Sequence, residues 1–170
     1  TDLIIYTLNS GCNVQVQTNG SRPEKIKEIC RRCGKHLDML EFMIPLHSAN
    51  ADKHDFICRS NNGFSQAIES LKVLSRAGAD NRLNRSTKFT DSFTDICRVY
   101  EGIGSSSIII AYPHCVSFPV DVIREVDLEK EDTKRIFCEF FKNEYCMPII
   151  LQAFPRCFVG EQTKAVIQEE

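Results

Sequence analysis

Apolar positions along this chain switch repeatedly between helical and strand spacing, and the switches mark its elements. Ile26, Ile29, Cys30 and Cys33 recur at i, i+3, i+4 and i+7, the stripe of an amphipathic helix. Ser21-Arg22-Pro23-Glu24 reads as its capping box with proline in the first turn, and Gly34 as its stop. Phe64, Ala67, Ile68, Leu71 and Leu74 predict a second helix reaching Gly78. Phe93, Ile96, Cys97 and Tyr100 predict a third, closed by the Gly102 to Gly104 turn, and Ile136, Phe137, Phe140 and Phe141 another from Glu129 to Tyr145. Leu3, Ile4, Ile5 and Leu8 predict a helix over Asp2 to Asn9, ended by Ser10-Gly11. Between these lie short runs of strand character: Asn13 to Gln17, Leu40 to Leu46, Ser107 to Tyr112 and Met147 to Leu151. Asp80 to Ser86 is a strand by position, although Asn81-Arg82-Leu83-Asn84-Arg85 is unusually polar for a buried one.

Strands alternating with helices predict an α/β fold with right-handed crossovers. About five mainly parallel strands with flanking helices are expected, as a single domain over residues 1–170. A complete eight-unit barrel takes roughly 250 residues. The prediction is therefore a compact open sheet or a partial TIM-type (β/α) barrel.

Composition narrows the function classes. Hydrophobic residues are 42% and charged residues 26%, ordinary for a globular domain. A net charge of −2 gives no electrostatic footprint for nucleic acid or an anionic membrane surface. No apolar run approaches the roughly 20 residues of a spanning helix, and no signal peptide is recognisable. Nine cysteines without a secretory signal read as reduced thiols in a cytoplasmic protein, some of them potential metal ligands.

In parallel α/β folds ligands gather where the strands end. The stretch Glu41-Phe42-Met43-Ile44-Pro45-Leu46-His47-Ser48 turns abruptly from apolar to polar at His47 and Ser48, the expected look of a buried strand opening into a loop. Collected over the chain, the strand ends supply Thr18-Asn19-Gly20, His47-Ser48, Asn84 with Ser86, Tyr112-Pro113-His114 and Phe154-Pro155. Small, polar and turn-forming groups on one rim suit a cofactor held by backbone and a few hydrogen bonds. They contain no hydrolytic triad and no paired carboxylates. The chain has no Walker-type loop and no G-x-G-x-x-G either.

These segments, in this order, resemble the radical S-adenosylmethionine enzymes. Val16-Gln17-Thr18-Asn19-Gly20 looks like that family's TNG strand end. Ile44-Pro45-Leu46-His47-Ser48-Ala49 with His54-Asp55 looks like its SLHG…HD segment. Gly63 to Gly78 is similar to the family's next helix, and Ile149 to Pro155 to its VVLEGFP ending. The resemblance runs from about Asp2 to Cys157. It implies S-adenosylmethionine and a 4Fe-4S cluster as cofactors, with the open iron of the cluster binding the cofactor's amino acid end and reductive cleavage giving a radical. It places Thr18 and Asn19, with Gly20, near the amino acid portion; His47, Ser48 and Asn84 at polar groups or ribose; and Tyr112 and Pro113 along the adenine. The family's C-x3-C-x2-C is absent from this chain, as is a segment like Gly-Gly-Glu-Pro. Pro45 stands where the family has serine, and arginines flank Asn84. The implied identity is the later part of a radical SAM barrel without its cluster-binding segment, inactive alone, its substrate unassigned.

Plainer readings stand beside this one. Cys30-Arg31-Arg32-Cys33 with His36 invites zinc, but structural zinc usually needs a second ligand pair at similar spacing, and both cysteines fall on an apolar helix face. Cys115 and Cys157 read as loop residues before ligands, and no metal site is assigned. His54-Asp55 reads as a helix-start hydrogen-bonding pair. His47 and Ser48 could simply cap the next helix. A non-catalytic α/β module is the functional rival; open sheet edges would lead it to form homo-oligomers.

Overall fold

A computed structural model describes residues 1–86, 93–104, 107–111 and 149–152. Its five strands are β1 (Val14–Gln17), β2 (Leu40–Pro45), β3 (Asp80–Ser86), β4 (Ser107–Ala111) and β5 (Ile149–Gln152). They form one sheet in the order β1-β2-β3-β4-β5, and all four pairings are parallel. The helices are α1 (Asp2–Asn9), α2 (Pro23–Arg32), α3 (Ala51–Cys58), α4 (Gly63–Ala77) and α5 (Phe93–Ile103), with a 3-10 helix at Gly34–Met39. The α/β class and the parallel strands are as the sequence predicts.

Sequential order carries the architecture. Crossovers between parallel strands are right-handed almost without exception. Strands added always on the same side therefore send every helix to the same face. α4 accordingly packs on β2 and β3 and touches α2, α3 and α5. This is the winding of a barrel segment, and it leaves the opposite face without a helix among the described elements.

Burial along the strands records the two faces. Leu40, Phe42 and Ile44 alternate along β2 and join one apolar cluster with Ile26 and Ile29 of α2 and Leu71 and Leu74 of α4. Glu41 and Pro45, on the alternate positions, are half-buried, and Gln15 and Gln17 of β1 are exposed. Met43 is also buried but lies outside that cluster. On the open face Gln15 Nε2 donates to Glu41 Oε1 at 2.7 Å, a cross-strand pair whose residues face each other in register.

Several element boundaries differ from the sequence reading. Arg22, not Ser21, precedes α2, and no side chain caps it. The N–H of Ser21 is instead taken by Asn19 Oδ1 at 3.1 Å, and Pro23 opens the helix without an N–H to satisfy. Gly34 does not stop α2 but begins the 3-10 helix, with Cys33 as the cap. Gly78 does close α4 in the left-handed region, at φ +70°. β4 ends at Ala111 and β5 runs Ile149–Gln152, slightly offset from expectation. The helix expected over Glu129 to Tyr145 and the connection before it lie outside the described residues.

α1 is apolar on nearly every side. Leu8 is buried, whereas Leu3 and Tyr6 are 76% and 72% exposed. Among the described residues no helix is long and apolar enough to cross a membrane. Phe42→Ala should cost about 3–5 kcal/mol, since nothing small can refill its place between sheet and helices. Leu3→Ala should change stability by less than about 0.5 kcal/mol. Urea midpoints of the two variants check this contrast.

Candidate functional site

The C-terminal tips of β1 and β2 lie side by side. The Thr18 amide donates to the Met43 carbonyl at 3.1 Å, carrying the ladder one residue past β1. Pro45, which has no N–H to give, takes the last position of β2, opposite Asn84 in register. Asn84 in turn faces Ile109 of β4. The first three predicted segments thus do reach one edge of the sheet. Tyr112, Pro113, His114, Cys115 and Cys157 lie outside the described residues.

Gly20 is the joint at the tip of β1. Its φ is +70°, and a Cβ there would stand 3.0 Å from Ile44 Cγ2 and 3.2 Å from Ala67 Cα. Only glycine allows β1 to press this closely against β2 and α4. The buried Ser70 hydroxyl of α4 then donates to the Gly20 carbonyl at 2.6 Å. The helix layer is therefore tied directly to the rim. Thr18 is half-buried and Asn19 exposed, so the polar side chains of this tip face outward while its glycine faces in.

The β2 tip is organised by α3. His54 is 2% exposed. Its Nδ1 accepts the backbone N–H of His47 at 3.2 Å. Its ring stacks on the His47 ring at 5.7 Å between centroids and meets the Phe64 ring in a T-shaped contact at 5.8 Å. Because Nδ1 accepts from an amide, the proton of the neutral ring sits on Nε2, which lies 3.4 Å from Cys58 Sγ. Burial pushes the His54 pKa down against a smaller opposing pull from Asp55, and desolvation of its sulfur together with the Asp55 charge pushes the Cys58 thiol up, although the residue as a whole is exposed. The pair is thus neutral imidazole and neutral thiol, without the thiolate a nucleophile needs.

His54-Asp55 is not a helix-start pair, since both residues lie within α3. Asp55 does cap a helix, but it is the next one. Its Oδ2 and Oδ1 accept the amides of Asn62 at 2.8 Å and Phe64 at 2.7 Å. It supplies what Asn62, the residue preceding α4, does not, because Asn62 makes no side-chain cap. Ser48 is fully buried, and its hydroxyl accepts the Asn50 amide at 2.9 Å; Asn50 Oδ1 then caps α3 through Lys53 N. Ser48 therefore does not itself cap α3, as the plainer reading expected, but holds Asn50, which does, whereas His47 stays half-buried at the rim. His54 and Asp55 entered the sequence reading only as a pair, and their distinct tasks follow from contacts across loops that spacing does not reveal.

With this geometry in place, comparison with known proteins gives a consistent fold. No protein-family profile and no curated protein matches the sequence. Among solved structures, SuiB of Streptococcus suis bound to the precursor peptide SuiA superposes with TM-score 0.70 at 10% identity, over 89% of this chain and 34% of that one. SuiB in a second crystal structure gives 0.66 at 10% identity, over 89% and 35%. Native anSMEcpe with bound AdoMet and a Kp18Cys peptide gives 0.53 at 10% identity, over 76% and 36%. The chain shares its fold with these proteins. The chain spans about a third of the length of each of these proteins.

The donor set answers differently for the two groups that the sequence resemblance implies. Hydroxyl, carboxamide and imidazole groups at Thr18, Asn19 and His47 suit the polar parts of a nucleoside-type cofactor. The described cysteines do not suit a cluster: Cys30, Cys33 and Cys97 are buried, Cys12 and Cys58 exposed, and no three His, Cys, Asp or Glu side chains among the described residues converge. Burial also raises the thiol pKa of Cys30 and Cys33, which packs them as small hydrophobes. Ser70→Ala, which strips a buried carbonyl of its donor, should cost about 1–3 kcal/mol. Asp55→Ala should cost about as much by uncapping α4. Both are read from urea denaturation, with circular dichroism confirming a folded baseline.

Proposed function

We propose that this chain is the later part of a radical SAM barrel, and that its strand tips form the cradle for S-adenosylmethionine. The observation that carries the reading is the rim itself: parallel strands in sequence order, with Thr18, Asn19 and His47 delivered to neighbouring tips. Thr18 and Asn19 would meet the amino acid portion of the cofactor, His47 and Asn84 its polar groups or ribose, and Tyr112 and Pro113 the adenine. Ser48 would act indirectly, by shaping the loop that presents His47. A cluster held outside the described residues would supply reducing power to that cofactor. Its ligands would come from a segment preceding β1. Two features of the fold support such a segment. β1 is a sheet edge with one pairing among the described residues, and α1 beside it leaves Leu3 and Tyr6 uncovered. The substrate of the radical is left open by this reading, and the chain alone would not turn over. Cytoplasmic residence belongs to the same proposal, since nine cysteines suit a reducing compartment.

A second reading rests on that same exposed edge. A non-catalytic module could cover β1 and α1 with another copy of itself. Anaerobic reconstitution with iron and sulfide separates the two. The chain as given should take up no stoichiometric iron and sulfide, and the chain preceded by its upstream coding sequence should take up four of each per polypeptide, as a 4Fe-4S cluster requires. A cluster assembling on this chain alone would overturn the proposal. An extended chain that binds none, together with a dimer by light scattering, would favour the module.

A further inference from the structure

We propose that His54 is the positioning residue of this rim: its neutral imidazole holds the loop that presents His47, and protonation of that ring releases the loop. The inference rests on the cofactor reading only for its functional consequence, because the latch itself is a matter of this chain's own contacts.

The geometry leaves His54 one productive state. It is buried between two rings, that of His47 on one side and Phe64 of α4 on the other. Its Nδ1 accepts the His47 amide, a group that can only donate. A proton added at Nδ1 would set two donors head to head, and the bond could not survive. The other nitrogen already faces Cys58, a weak acceptor whose thiol stays protonated. The loop thus has a latch that closes when the ring is neutral and opens when it is charged.

Charged and titratable neighbours decide how readily it opens. Those facing the ring among the described residues are His47 from the loop after β2, and Asp55 and Cys58 from α3 itself; α4 contributes the apolar ring of Phe64. Asp55 would favour the charged ring, but its carboxylate already holds the amides of Asn62 and Phe64, and desolvation outweighs it. The His54 pKa therefore lies below its ordinary value of 6.5. The sign follows from that direction. A folded state that disfavours the proton gains stability as pH rises, so the contribution is complete above 6.5 and is lost as pH falls through the lowered folded value. Opening would free the loop bearing His47, the β2-tip residue that the cofactor reading places at the ligand.

Histidine ring NMR with amide hydrogen exchange tests the latch. At about pH 7.5 the His54 ring should carry its proton on Nε2 with Nδ1 bare, and the His47 amide should be protected. As the ring takes up its second proton, exchange at His47, corrected for the intrinsic rate, should quicken by roughly tenfold or more. His54→Asn keeps an acceptor that cannot titrate, so its His47 amide should remain protected across the same range. A proton found on Nδ1 at neutral pH would overturn the proposal. So would an unchanged His47 amide while the wild-type ring titrates, or acid-triggered loss persisting in His54→Asn. None of these readouts involves a cofactor. A chain with the latch intact that binds no nucleoside when extended would overturn the cofactor reading alone.

Discussion

Parallel strands added one after another on the same side leave the chain little freedom. Each return must cross over the sheet, each crossover takes the same hand, and the helices are driven together onto one face. Everything else described here depends on that constraint. It creates the apolar layer in which Phe42, Ile44, Leu71 and Leu74 meet, and it leaves Gln15, Gln17 and Glu41 on the other side. It also brings the C-terminal ends of the strands to one edge, so that residues far apart in sequence become neighbours at the rim.

The rim is not a loose fringe on this scaffold. Gly20 lets β1 close against Ile44 and Ala67, and Ser70 fastens its carbonyl to α4. α3 does the same for β2, with His54 holding the His47 amide and Asp55 holding the start of α4. Most polar groups near the strand tips thus serve the backbone before any ligand. Ser48 and Asn50 close turns, Asn19 holds the Ser21 amide, and Asp55 caps. Among the groups that also reach the rim are Thr18, Asn19 and His47, the first two while their oxygens accept the Gly20 and Ser21 amides. Such an arrangement fixes geometry before binding, which is how a site avoids the cost of ordering itself around a ligand.

Strand and helix identities were legible because burial has a period. The stripe of Ile26, Ile29, Cys30 and Cys33 and that of Ala67, Leu71 and Leu74 are single-faced, and their buried faces match the reading. β3 was legible only by its place in the alternation. Its polar Asn81 is buried and bonds locally to the Ala79 carbonyl, a contact that composition cannot announce. Caps were misread where a rival partner existed: Asn19 competes for the Ser21 amide and displaces the expected capping box. His54 and Asp55 were legible as a pair of polar residues beside a loop, but their tasks are set by His47, Asn62 and Phe64, which fold onto them from other elements. Tertiary partners of this kind leave no spacing to read.

The account stands on the order of the strands, and inter-strand proton contacts in solution test it most directly. Nuclear Overhauser effects should join Val16 to Phe42, Phe42 to Asn81, and Leu83 first to Ile44 and then to Ile108, in the pattern of parallel pairs. A β1 found beside β3 or β4, or an antiparallel pattern at any of these pairs, would put helices on both faces or scatter the strand tips, and the rim would not exist.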